Sequence, residues 1–245
     1  MSLQSLCVNG MFESRLSGSE MLGFTVSVVD RLIGGLRWGD FILLYNSRIC
    51  HVISEVLFLH YWLRGGLGSS AVFVDGGNVF DPYIISESAR MLGLDPEAVL
   101  RNIWVSRAFT SYQMTNLLVE GLPRVIDQKG SRLVMVSDVT SLYCDPELER
   151  FEAKKTFNTV TCYLWNLAKE KRIIVVATSP SEGAKRKRCL EYYLLGRADV
   201  AVRVDEGNCR LRLVLEKHPS KPPASVDLYL TGCGGQSLLE DFLGV

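Results

Sequence analysis

The sequence predicts an α/β domain: a mostly parallel central sheet flanked by helices, with a C-terminal antiparallel β extension. Two observations predict it. Five short apolar runs recur along residues 41–177, separated by segments of helical length and pattern. After residue 200 the pattern changes to polar–apolar alternation, the mark of strands with one covered face.

The elements follow in order. Residues 27–36 carry an apolar face and stop at Gly34-Gly35, which reads as a short helix. Residues 41–45 (FILLY) are continuously apolar and suit a strand buried on both faces. Residues 51–64 read as a helix closed by Gly65-Gly66. A second buried strand covers 71–74, with Asp75 at its carboxyl end, and Pro82 opens a helix over 83–92. Asp95 before Pro96 caps a shorter helix. Residues 102–106 read as a third strand, and 111–127 as a helix kinked near Pro123. Residues 132–136 form a fourth strand, 147–171 a long helix and 172–177 a fifth strand. Residues 178–188 read as a loop and 190–195 as a short helix. Strands at 200–204, 209–215 and 225–230 follow, with turns at 205–208 and 219–223, and residues 237–244 read as a final short helix.

Composition narrows the function classes. The chain has 245 residues, 27 Lys plus Arg against 27 Asp plus Glu, and 47% hydrophobic residues. Such a chain buries a core, and it is neither disordered nor a wholly basic nucleic-acid coater. No run approaches the roughly 20 apolar residues of a spanning helix, and no signal-peptide pattern opens the chain, which points to a soluble cytoplasmic protein. The seven cysteines are widely spaced without a CxxC, and His51, His60 and His218 form no ligand pair. Buried thiols are expected rather than disulfides, and neither a metal nor a cofactor is expected. No linker divides the chain. One core domain is expected over 23–245, preceded by a segment over 1–22.

Several stretches are recognisable in order and spacing. They are Asp30-Arg31-Leu32-Ile33-Gly34-Gly35-Leu36 with Arg37-Trp38-Gly39-Asp40, Phe73-Val74-Asp75, Phe80-Asp81-Pro82 and residues 90–102. Arg107-Ala108-Phe109, Ser111-Tyr112-Gln113-Met114, Leu133-Val134-Met135-Val136 and Thr140-Ser141 complete the set. Together they resemble the ATPase core of the RecA superfamily, over residues 23–231. The likeness is to the archaeal and eukaryal recombinases, their paralogues and the related circadian-clock-type ATPases. It implies a RecA-like P-loop NTPase fold. Residues 1–22 are too few for the N-terminal helical domain that recombinases usually carry.

The resemblance weakens at the chemistry. A P-loop needs GxxxxGK[ST] after the first strand, so that backbone N–H groups cradle phosphate and Lys reaches the β- and γ-phosphates. Here residues 41–63 contain no glycine. By the resemblance, Asn46 stands at the opening glycine, His51 at the later one, Val52 at the lysine and Ile53 at the hydroxyl. Arg48 is the one cation in that turn. Gly77 stands where the family has its catalytic Glu, and Ser137 at the metal-binding aspartate, with Asp138 one step on. The degenerate site therefore comprises Asn46, Arg48, His51, Asp75 and Asp138, with no catalytic residue assigned. Arg107, Gln113 and Lys217 match positions that in relatives sense nucleotide or reach a neighbour.

The basic run Lys185, Arg186, Lys187 and Arg188 stands where recombinases have a loop facing single-stranded DNA, with Tyr192 and Tyr193 close by for stacking. These four residues are the candidate nucleic-acid contact. Three readings stay open: a catalytically silent recombinase paralogue acting through a protein partner, self-association or single-stranded DNA; an unorthodox ATP binder or ATPase using Arg48 and Asp138; or a structural or regulatory protein unrelated to DNA that keeps only the fold.

Overall fold

The computed structural model describes residues 21–23, 27–65, 70–180, 185–207 and 210–229. A two-stranded pairing of β1 (Met21–Leu22) with β2 (Leu36–Arg37) brackets α1 (Ser27–Ile33) and buries Leu22 in the core. The main sheet contains β3 (Phe41–Tyr45), β4 (Ala71–Asp75), β5 (Ile103–Arg107), β6 (Leu133–Ser137), β7 (Ile174–Ser179), β8 (Val200–Gly207), β9 (Arg210–Lys217) and β10 (Ala224–Tyr229). Their spatial order is β10-β9-β8-β3-β7-β6-β4-β5. The six strands from β8 to β5 run parallel, and β9 and β10 extend the sheet antiparallel.

The intervening helices are α2 (Cys50–Gly65), α3 (Pro82–Met91), α4 (Pro96–Leu100), α5 (Ser111–Asn116), α6 (Leu122–Lys129), α7 (Arg150–Lys171) and α8 (Lys185–Arg197). They form two layers because strand side chains alternate between faces. Ile42, Leu44, Phe73, Met135 and Val176 pack under α1 to α4. Phe41, Leu43, Val74, Val136 and Val175 pack under α5 to α8. With both faces covered, β3, β4, β6 and β7 are buried throughout, which explains their unbroken apolar runs.

Four details differ from the sequence expectation. The break in the 111–127 helix is a π-helical turn at Leu117–Gly121, and Pro123 sits in the first turn of α6, where its missing N–H costs little. β8 pairs parallel with β3 and antiparallel only with β9. It also runs through Asp205 and Glu206 to Gly207, where polarity suggested a turn. The KRKR run opens α8 rather than lying in a loop. The 181–184 segment and the helix expected over 237–244 lie outside the described residues.

No helix among the described residues is long and apolar enough to cross a membrane.

Candidate nucleotide-site remnant at the strand ends

The helix after β3, α2, leaves over one face of the sheet, and the helix after the adjacent β7, α8, leaves over the other. Neighbouring strands whose connections depart to opposite faces open a crevice at their carboxyl ends, where α/β folds bind ligands. A cavity of about 210 Å³ lies there, lined by residues that include Ser47, Arg48, His51, Gly77, Asp138 and Thr178. Of the expected site residues, Arg48, His51 and Asp138 share this cavity. Asn46 and Asp75 are not among its lining residues and instead hold the loops after β3 and β4.

The turn after β3 is built by side chains instead of glycines. Asn46 takes a left-handed backbone at φ 79°, which Asn tolerates better than most residues. Its Nδ2 donates to Asp205 Oδ1 at 2.8 Å and to the Val204 carbonyl at 3.3 Å. Ser47 Oγ accepts from the Ile49 N–H at 3.0 Å and donates to Glu206. Tyr45 donates to Glu216, and burial together with that carboxylate raises the phenol's pKa. Arg203 bridges Asp205 and Glu216. So three carboxylates from β8 and β9 stand behind the turn. Cys50, fully buried at the start of α2, has its thiol pushed up to about 12 by burial. The His51 pKa is lowered, chiefly by burial, with partial opposition from a backbone hydrogen bond to Arg48 and then from nearby Asp75 and Glu206.

The loop after β4 hangs on Asp75. Its Oδ1 accepts from Val79 N–H at 3.1 Å and Ser137 Oγ at 2.8 Å, and its Oδ2 from Phe80 N–H at 3.1 Å. Arg107 Nε stands 3.4 Å away and Arg107 also donates to the Phe80 carbonyl. Gly77 has a side chain pressed against it: a Cβ there would lie 2.9 Å from Asp138 Cβ.

Asp138 follows β6 at φ 43°, and this left-handed step swings its carboxylate into the cavity. Ser141 Oγ donates to Oδ2 at 2.5 Å. Lys187 Nζ stands 3.3 Å from Oδ1 and 3.1 Å from Ser141 Oγ. The Lys187 side chain is 6% exposed and that of Asp138 14%. Lys187 is thus a buried counter-ion, not one of four solvent-facing cations. Arg188 and Tyr192, one turn apart on α8, are exposed. The side chains of Lys185 and Arg186 lie outside the described residues.

Other positions singled out by sequence are also engaged locally. Gln113 Oε1 accepts from the Phe109 N–H at 2.9 Å. Lys217 Nζ donates to the Leu195 and Gly196 carbonyls at the end of α8, and His218 Nδ1 accepts from the N–H groups of Ser220 and Lys221.

Sequence reasoning missed Asp205, Glu206 and the role of Lys187. The signal for Lys187 was present. Lys187, Leu190 and Leu194 recur at i, i+3 and i+7, which puts all three on the inward face of one helix, and all three are buried.

A doubly wound sheet with this crevice defines the class of RecA-like α/β proteins. The Rad51 family model matches residues 13–186, and the chain belongs to that family. It is similar to the DNA repair and recombination protein RadA of Aeropyrum pernix, 36% identical over 96 residues, which are 39% of this chain and 30% of that protein. It is also similar to a meiotic recombination protein DMC1 homolog of Glycine max, 31% identical over 121 residues, 49% of this chain and 33% of that protein. The matched stretches span about a third of the length of these relatives.

Proposed function

We propose that this chain is a catalytically silent recombinase paralogue, an accessory or regulatory component of DNA recombination or repair that acts through protein or DNA contacts. The recombinase kinship, rather than the looser likeness to circadian-clock-type ATPases, guides this reading. The observation that carries it is the content of the crevice. Phosphate binding calls for convergent backbone N–H groups and a lysine, and catalysis calls for a base near the attacked phosphorus. The turn after β3 is instead backed by Asp205 and Glu206, position 77 has no side chain, and Asp138 is already paired with Lys187. Hydrolysis of ATP, with and without single-stranded DNA, is expected at the background rate. Turnover that disappears in an Asp138→Asn variant would contradict the reading.

For the DNA arm, exposed Arg188 and Tyr192 offer a phosphate contact beside a stacking ring. Replacing both by Ala is expected to weaken binding to a single-stranded oligonucleotide by about tenfold or more, with a shallower salt dependence. Stability should change by less than about 0.5 kcal/mol. Fluorescence anisotropy across a salt series measures it. Equal affinity and equal salt slope would remove α8 as the contact and leave a protein partner.

A further inference from the structure

An anion and a cation of the chain hold residues that line the crevice: exposed Glu206 bonds Ser47, and buried Lys187 pairs with Asp138. Glu206, at the end of β8, reaches Ser47, whose Oγ also accepts from the Ile49 N–H just ahead of the first turn of α2. The 16-residue α2 presents the positive end of its dipole at this point. Lys187 crosses from α8 to Asp138 and Ser141 and is almost fully buried there. Asp205 holds the strained Asn46 from the same strand as Glu206. A buried carboxylate without a counter-ion is costly, and so is a helix end without an anion or cap. Here both needs are met within the chain.

We propose that this crevice is self-liganded: Glu206 supplies the anion at the α2 N-terminus and Lys187 the cation at Asp138, so the strand-end loops keep their arrangement with no bound nucleotide. This deepens the reading of a silent paralogue and rests on it. The consequence is regulatory. The face built on these loops is permanently formed, and a partner would engage it without a nucleotide signal. The contact is also autoinhibitory, because a phosphate approaching α2 meets the Glu206 carboxylate.

Chemical rescue tests it. Thermal melts are recorded for the unaltered protein, Glu206→Ala and Lys187→Ala, each with millimolar inorganic phosphate, methylammonium or sodium chloride at matched ionic strength. The unaltered protein should ignore phosphate and methylammonium beyond the salt control. Glu206→Ala should gain about 2–4 °C from phosphate alone, and Lys187→Ala a similar amount from methylammonium alone. A variant that ignores its missing ion, or an unaltered protein that responds as strongly, overturns the proposal. If either Ala variant fails to fold, Glu206→Gln is followed by NMR titration of His51. Loss of the Glu206 charge should move that titration to lower pH, and an unmoved titration overturns the proposal. Stabilisation of the unaltered protein by magnesium ATP is a separate result, which would sink the silent-paralogue reading instead.

Discussion

The loops after β4 and β6 sit side by side, and each is organised by an aspartate, yet the two aspartates work differently. Asp75 is fully buried and accepts from two backbone N–H groups of its own loop and from Ser137. It builds the loop, and Arg107 adds charge from the next strand. Among the described residues, no backbone N–H donates to the Asp138 carboxylate. Ser141, Thr140 and Lys187 hold it, all through side chains. The first acid is satisfied by the chain that carries it. The second depends on a cation delivered from α8, 49 residues further along the chain. An acid of the first kind belongs to the scaffold, and one of the second kind marks a place where a charged ligand has a natural seat.

Breaking each acid's partners sharpens the contrast. Asp75→Ala strands two part-buried N–H groups and the buried Ser137 hydroxyl, takes the partner from Arg107, and should cost about 3–5 kcal/mol in urea unfolding. Lys187→Ala leaves Asp138 buried without its counter-ion and should cost about 3 kcal/mol. The double change Lys187→Met with Asp138→Asn should recover most of that loss. A double variant no more stable than Lys187→Met alone would show that the charge on Asp138 was never the problem. Gly77→Ala comes next, at about 1–3 kcal/mol, because its Cβ would press on Asp138 Cβ. Restoring an acid at position 77 should therefore fail to create ATP turnover, since the space for it is taken.

The last effect concerns Glu55 on α2 and depends on pH. It is buried, neither carboxyl oxygen has a well-formed hydrogen bond, and its pKa is pushed up to about 8. Burial is the main cause; nearby Asp81 and Asp75 add to it, while the Asp81 N–H opposes. Because the folded pKa lies above the unfolded one, the stability that protonated Glu55 contributes is complete below about pH 4.5. It is lost progressively up to about pH 8 and stays lost above that. Glu55→Gln should flatten this decline. Thermal melts at about pH 6 and pH 9 would measure it, and parallel pH profiles would show that Glu55 titrates normally.

The sheet was legible in the sequence because burial on both faces leaves no room for polar residues. The runs at β3, β4, β6 and β7 therefore stand out, and so does the Asp95 cap, which accepts the Glu97 N–H. The crevice was legible only in part. Asn46, Arg48, His51 and Asp138 were found through the family resemblance, by counting onto its motif positions. Asp205 and Glu206 were hidden because β8 overhangs the sheet's edge, where a strand end is as polar as a turn. Lys187 was hidden inside a run of four cations, where charge density outweighed helical spacing. Its burial depends on Asp138, a partner that no local pattern identifies.

The central claim is that the crevice works without nucleotide. Calorimetric titration of the folded protein with ATP, ADP and a non-hydrolysable analogue, each with magnesium, tests it most directly. The account predicts no binding heat up to millimolar nucleotide. Micromolar, magnesium-dependent binding would contradict it and would mean that the turn built on Asn46, Ser47 and Arg48 holds phosphate after all.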